Sequence, residues 1–143
     1  MENQAPILEP VPEVLLDHPF LRITFEAGNE LVQMTWKPAT HDMTNADLME
    51  LTLAFRAHIE RLRPKVGIFD MREFCFPISP EMQEWIDLNI SPAEKATCRV
   101  QALLLPKDEI ASMSLEQLME EDQTSGLRIR VFEDLATARE WLL

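Results

Sequence analysis

The sequence predicts an α/β domain: a mainly parallel sheet of about five strands, opened by an antiparallel hairpin and covered by about four helices. Apolar residues alternate with polar ones in some segments and recur every three or four residues in others, and the two patterns take turns along the chain. Strands separated by helices are joined by right-handed crossovers and lie parallel. The 143 residues, 46% hydrophobic and 27% charged, are enough to build one core.

Residues 1–19 are predicted to form a proline-rich arm. Their prolines lack the backbone donor that a regular helix or a central strand requires, so an extended conformation is expected. The apolar side chains between them are too many for a free tail. The arm therefore packs either on its own domain or on a second copy of the chain, which would make a homodimer. Residues 20–143 are predicted to be a single domain, because no repeat or interior linker divides them.

A hairpin and a helix are predicted at the start of the domain. The alternating segments 21–25 and 31–36 flank a turn at 27–30. Thr44 can cap the following helix, which Pro64 ends. The apolar stripe of this helix is predicted to be core, because burying each of its side chains contributes about 1.5–3 kcal/mol. The stripe consists of Leu48, Leu51, Phe55, Ile59 and Leu62.

Three further strands are predicted, at 65–70, 100–105 and 127–131, each an apolar or alternating run bounded by proline, glycine or charged residues. Ser79 and Pro80 open the second helix, since serine is a good N-cap and proline suits the first helical position. With helices between these strands, the sheet is expected to be parallel in its second half.

Two Ser-x-x-acid or amide patterns predict capping boxes. Ser91 with Glu94 is expected to start a short further turn, and Ser114 opens a third main helix that is predicted to end at Gly126. Asp134 is predicted to cap the last helix.

The charge balance bears on partners and location. Lys and Arg number 13 against 25 Asp and Glu, and the net charge of -12 would repel nucleic acid and anionic membranes. Cys75 and Cys98 are too few for a disulfide framework. With no leader-like N-terminus and no apolar run long enough to span a bilayer, we expect a cytoplasmic protein without a transmembrane segment.

Candidate chemistry is confined to the carboxyl ends of the predicted parallel strands, where ligands usually bind in open sheets. Asp70, Arg72 and Ser79 lie there, but an ion pair of Asp70 with Arg72 or a turn cap explains them equally well. The three histidines are scattered, and three glycines cannot form a phosphate loop. No enzyme activity, metal or cofactor is predicted.

Eight methionines make the interior adaptable. Four of them could line an apolar ligand cavity, although filling gaps in a core is the commoner use of methionine. These four are Met34, Met49, Met82 and Met119.

Residues 68–79, Ile-Phe-Asp-Met-Arg-Glu-Phe-Cys-Phe-Pro-Ile-Ser, resemble the strand, loop and helix start of STAS domains, the SpoIIAA-like anti-sigma factor antagonists. Residues 131–142 are similar to the last strand and helix of small bacterial SpoIIAA-like proteins, which resemble Sec14 lipid carriers in fold. The resemblance covers residues 20–143. In signalling members a serine at the start of the second helix is phosphorylated; Ser79 matches it, but Ile78 replaces the preceding Asp.

The resemblance implies a non-enzymatic regulatory or interaction module that binds a protein partner. The expected contact surface comprises Ser79, Glu81 and Met82, with Asp70 and Arg72 as further candidates near it. The alternative is a carrier or sensor of a small apolar, lipid-like molecule, bound in a pocket that the first two helices and the methionine-rich interior would form.

Overall fold

The computed structural model describes residues 11–122 and 126–143. In this part of the chain seven strands form a single sheet in the order β1-β2-β3-β4-β5-β7-β6. The strands are β1 (Glu13–Asp17), β2 (Leu21–Glu26), β3 (Leu31–Trp36), β4 (Val66–Asp70), β5 (Val100–Leu104), β6 (Met119–Asp122) and β7 (Leu127–Phe132). The helices are α1 (Asn45–Leu62), α2 (Pro80–Asn89), α3 (Ser91–Thr97), α4 (Lys107–Ala111), α5 (Leu115–Leu118) and α6 (Leu135–Leu142).

The predicted α/β class is confirmed, but about five strands and four helices is too low a count. The sheet is also mixed rather than mainly parallel, because three of the six strand pairings in the described residues are antiparallel. Strands β3, β4, β5 and β7 are parallel, while β2 pairs antiparallel with β3 as the predicted hairpin. The additional strands, β1 and β6, lie at the two edges of the sheet. None of the helices in the described residues is long and apolar enough to cross a membrane.

Strand β1 comes from the predicted arm. It pairs antiparallel with β2, with a register shift between Val14 and Leu16. An edge strand tolerates nearby prolines because one side of its backbone needs no partner. Residues 13–17 of the arm therefore pack on their own domain, residues 1–10 lie outside the described residues, and a homodimer through the arm stays a prediction.

The predicted third main helix is wrong beyond Leu118. The Ser114 side chain caps α5 in a capping box with Gln117, but the chain then turns into β6. The antiparallel partner β7 supplies Arg128, whose Nε lies 3.5 Å from the carboxylate of Glu121. This cross-strand pairing outweighs local helix preference. Gly126 does not end a helix but precedes β7 with φ of 80°, and residues 123–125 of the predicted helix lie outside the described residues.

The sheet has two covered faces. Helices α1 to α3 pack on what we call the helical face, and α6 packs on the opposite face. On the α6 face the buried core consists of Leu31, Ile68, Ala102, Leu104 and Ala138. The helical face carries the larger core, which includes most of the predicted α1 stripe together with side chains of β2, β3 and β4.

Helix α1 anchors the helical face. The Thr44 hydroxyl accepts from the Asp47 amide and the Asp47 carboxylate accepts from the Thr44 amide, so both capping interactions are made. Phe55 is fully buried and meets the ring of Phe69 edge to face at 5.9 Å between ring centres. Below them Gly67 leaves room for packing, since a Cβ there would lie 2.9 Å from the Phe69 ring.

Replacing Phe55 with Ala is predicted to destabilise the fold by about 3–5 kcal/mol, because it removes a fully buried ring and leaves a cavity. Chemical denaturation followed by circular dichroism measures the free energy of unfolding. Leu53→Ala on the same helix is the control, since Leu53 is 36% exposed and its truncation should cost no more than about 1 kcal/mol. Equal losses for the two variants would contradict this core assignment.

Candidate functional site

Asp70 and Arg72 form a closed ion pair at the carboxyl end of β4. The Asp70 side chain is buried, and its carboxylate accepts from Arg72 Nε at 3.0 Å, Nη2 at 2.8 Å and the backbone amide at 3.1 Å. The bond to Asp70 raises the pKa of the Arg72 guanidinium. Asp70 and Arg72 therefore satisfy each other's charge. This agrees with the interpretation, made from the sequence, that an ion pair explains the two residues.

Ser79, Glu81 and Met82 lie together at the start of α2. The Ser79 hydroxyl accepts from the Met82 amide at 3.2 Å, so the predicted N-cap is confirmed. Ser79 and Glu81 are exposed, whereas the Met82 side chain is only 6% exposed and packs in the core. No hydrogen bond in the described residues joins Ser79 to the Asp70–Arg72 pair. The structure joins Asp70 with Arg72 and Ser79 with Met82, and the convergence of these residues on one site stays a prediction.

Arg72→Ala is predicted to destabilise the protein by about 1–3 kcal/mol, because it leaves the buried Asp70 carboxylate without its bidentate partner. The free energy of unfolding is compared with that of Lys107→Ala, which removes an exposed cation from α4. If both substitutions left stability unchanged, the ion pair would have no structural role.

A cavity of about 460 Å³ lies between the sheet and the helices on the helical face. Strand side chains form its floor and helix side chains form its walls. The floor includes Met34, Trp36, Phe69, Leu103, Ile129 and Val131, and the walls include Leu48, Thr52, Ile86 and Ile90. This lining is predominantly apolar, which is the usual character of a small-molecule site.

The cavity exists because the helices cover the sheet unevenly. On β3 the floor residues Met34 and Trp36 are only 4% exposed, as expected beneath packed helices. On β7 the floor residues Ile129 and Val131 are half-buried. The helical face is thus well packed over its central strands and partly open towards β7, where the α5–β6 segment adds Gln117 and Glu120 to the lining.

Several polar side chains line the cavity with their donors already engaged. Thr52 donates to the Leu48 carbonyl at 2.7 Å, and Gln83 donates to Asp87 at 3.0 Å. Gln101 donates to the Cys98 carbonyl at 2.9 Å. Within the described residues the amide oxygens of the two glutamines accept no hydrogen bond, so they remain as acceptors.

Glu94 of α3 is the most unusual group in the lining. Its side chain is half-buried, and in the described part of the chain its carboxyl makes neither a hydrogen bond nor an ion pair. Burial raises the pKa of Glu94 to about 7, against a smaller opposing effect of Lys95. A carboxyl group that changes charge near neutral pH inside an apolar cavity is typical of functional sites.

Glu94 was not predicted as a site residue, because the pattern from Ser91 to Glu94 predicts a capping box that would engage this side chain. That assignment is wrong: helix α3 follows α2 almost directly, with Ile90 between them at φ -113° and ψ -50° and no side-chain cap. Ser91 is therefore already the first residue of the helix. Glu94 is not needed for capping and lines the cavity instead.

The methionine prediction holds for one residue of four. Met34 lines the cavity, together with Met71, which was not predicted. Met82 is buried in the core, Met49 packs partly against it, and Met119 is 45% exposed on β6. Interior methionines serve here mainly to fill the core.

The cysteines and possible metal ligands offer no second site. Burial raises the pKa of the Cys98 thiol to about 12, which keeps the thiol neutral. Cys75 is exposed, and its Sγ lies 3.3 Å from the Glu73 carbonyl oxygen. Among the residues that the structure describes, no group of three or more His, Cys, Asp and Glu side chains could hold a metal ion.

No family model matches the chain, and neither a curated protein nor a solved structure shows significant similarity to it. The likeness of residues 68–79 to STAS domains therefore stays a prediction, and the candidate site depends on its own geometry.

The raised pKa of Glu94 predicts an unusual pH dependence of stability. The folded protein holds this proton more tightly than the unfolded chain, whose glutamate has a pKa of 4.5, so Glu94 lowers stability as pH rises from 4.5 to about 7. Glu94→Gln removes this loss and should be more stable than the native protein by up to about 3 kcal/mol at about pH 8. At about pH 5 the two should unfold almost equally.

Denaturant unfolding at both pH values measures this difference. Glu84→Gln is the matched control, because it neutralises an exposed carboxylate on α2. A parallel pH profile for the native protein and Glu94→Gln would show that Glu94 is solvated like any surface carboxylate.

Proposed function

We propose that the protein binds a small, largely apolar molecule in the cavity on the helical face and acts as its carrier or sensor. The single observation that supports this most strongly is the cavity of about 460 Å³ with its predominantly apolar lining. Ligand pockets in proteins span about 300–1,000 Å³ and combine apolar walls with a few polar groups. This cavity falls within that range and has that composition.

A packing imperfection does not account for a cavity of this size. Protein interiors are packed about as densely as organic crystals, and few of their voids exceed a water molecule. Here the apolar side chains of Leu103 on β5 and of Ile129 and Val131 on β7 face an open space. Covering such a surface with an apolar molecule is favourable, at roughly 25 cal/mol per Å² removed from water.

Partner binding at the start of α2 has less support from the geometry. Ser79 and Glu81 are exposed and polar, but the apolar anchor expected beside them, Met82, is buried in the core. Interface energy is usually concentrated in apolar or aromatic anchors that can enter a partner's surface. The protein-partner hypothesis and phosphorylation of Ser79 stay predictions.

Decanol is a suitable neutral probe, and isothermal titration calorimetry measures its binding. We expect saturable binding with a negative heat capacity change, which marks burial of apolar surface. Val131→Trp should weaken binding roughly tenfold or more, because the indole occupies the cavity from β7. Ile129→Phe is a second, smaller filling change on the same strand.

Val14→Trp is the matched control, since it makes the same substitution on β1 at a side chain that is 46% exposed and outside the cavity lining. Its affinity for decanol should equal that of the native protein. Native mass spectrometry of the purified protein adds a direct search for a bound natural molecule. An absence of saturable decanol binding, or equal loss in Val131→Trp and Val14→Trp, would rule out the cavity as the binding site.

A further inference from the structure

The proposed ligand-binding function does not specify the chemical class of the ligand. The polar side chains that line the cavity restrict that class. Resting on that function, we infer that the ligand is an amphipathic amine: an apolar body that fills the cavity and a protonated amino group that Glu94 receives.

The first argument is the balance of charge in the lining. Two carboxyl groups, Glu94 and Glu120, line the cavity, and no Lys, Arg or His does so among the described residues. The amide oxygens of Gln83 and Gln101 add further acceptors, and one proton of each amide nitrogen goes to Asp87 or to the Cys98 carbonyl. The Gln117 oxygen accepts from the Ser114 amide, so its nitrogen is a donor, but a neutral one that offers no charge to an anion. A ligand whose polar end donates hydrogen bonds matches this environment.

The second argument is the missing partner of Glu94. In the described residues the two buried carboxylates are paired bidentately with arginine: Asp70 with Arg72, and Glu26 with Arg139 at 2.7 and 3.0 Å. Glu94 has no such cation in the described residues. A charge-assisted hydrogen bond from a bound ammonium group would supply it, and such bonds are about twice as strong as neutral ones.

The lining also discriminates against other amphiphiles. The carboxylate of a fatty acid would enter a cavity whose described lining contains Glu94 and Glu120 and no Lys, Arg or His, so that like charges repel. An alcohol of equal length would fill the same volume and donate one neutral hydrogen bond. The expected order of affinity is therefore amine, then alcohol, then carboxylate.

Charged groups on the neighbouring elements do not replace the ligand's cation. Arg56 of α1 donates to the Asn89 carbonyl and pairs with Glu60, and Lys95 is exposed on the helix that carries Glu94. On α2, Asp87 accepts from Gln83. Glu120 of β6 faces the same cavity, and the Cys98 thiol below α3 stays neutral.

Three probes with the same chain length distinguish an amine from an alcohol and a carboxylate as the ligand: decylamine, decanol and decanoate. Their binding is measured by calorimetry at about pH 8. An alkylamine is protonated at this pH because its pKa is near that of lysine, about 10.4. Decylamine should bind the native protein roughly tenfold or more tighter than decanol. Glu94→Gln should abolish this preference, because it should weaken decylamine binding far more than decanol binding. Glu94→Asp, which keeps the charge, should retain part of it.

The pH profile gives a readout that a purely structural role of Glu94 would not change. Below pH 7, where Glu94 takes up its proton, decylamine affinity should fall by as much as about tenfold per pH unit, while decanol affinity changes much less. Glu84→Gln is the control for nonspecific attraction of an amine to a protein of net charge -12. It should bind all three probes as the native protein does.

Each outcome supports or overturns the inference. Equal affinities for decylamine and decanol would refute the amine while the proposed function survives through decanol binding. An equal loss of decylamine affinity in Glu84→Gln and Glu94→Gln would assign the preference to overall charge and refute the role of Glu94. If none of the probes binds, the inference fails together with the proposed function.

Discussion

The fold depends on covering both faces of the four parallel strands at the centre of a mixed sheet, β3, β4, β5 and β7, since parallel strands leave neither face to solvent. One row of side chains shows how this requirement is met. Met34, Phe69, Leu103 and Val131 stand side by side on β3, β4, β5 and β7, all on the helical face. The first two are buried beneath helices, and the last two are only half-buried. The whole row lines the cavity, but it is buried at its β3–β4 end and partly exposed at its β5–β7 end.

This uneven cover links the fold to its proposed function. A protein that leaves apolar strand residues open forgoes part of the burial that stabilises it, and a molecule that binds only the folded state restores that stability by mass action. Glu94 adds a second unfavourable contribution, because a carboxyl group is held in a poorly solvated position without a partner. Both contributions lie in one cavity and favour the same kind of ligand.

Local signals made the larger elements predictable. The helical stripe around Phe55, the hairpin that pairs Leu21 with Trp36 and the cap at Ser79 depend on residues close in sequence. Strand β6 was not predictable in this way, because its conformation depends on pairing with β7 and on the contact of Glu121 with Arg128. The cavity is still harder to predict, since it reflects how far helices reach across a sheet.

The polar residues of the site show which of its features can be predicted from sequence and which cannot. Asp70 attracted attention at a strand end, yet Arg72 lies two residues away and satisfies it. Glu94 has a cation next to it, Lys95, but adjacent residues of a helix do not face each other. Its helical neighbours three and four positions away are Ile90, Ser91, Thr97 and Cys98, none of them a cation. A carboxyl group on a short helix with no cation at these spacings must find its partner in solvent, elsewhere in the fold or in a ligand. At Glu94 the described fold supplies no cation and burial restricts solvent, which is the physical reason for proposing a ligand there.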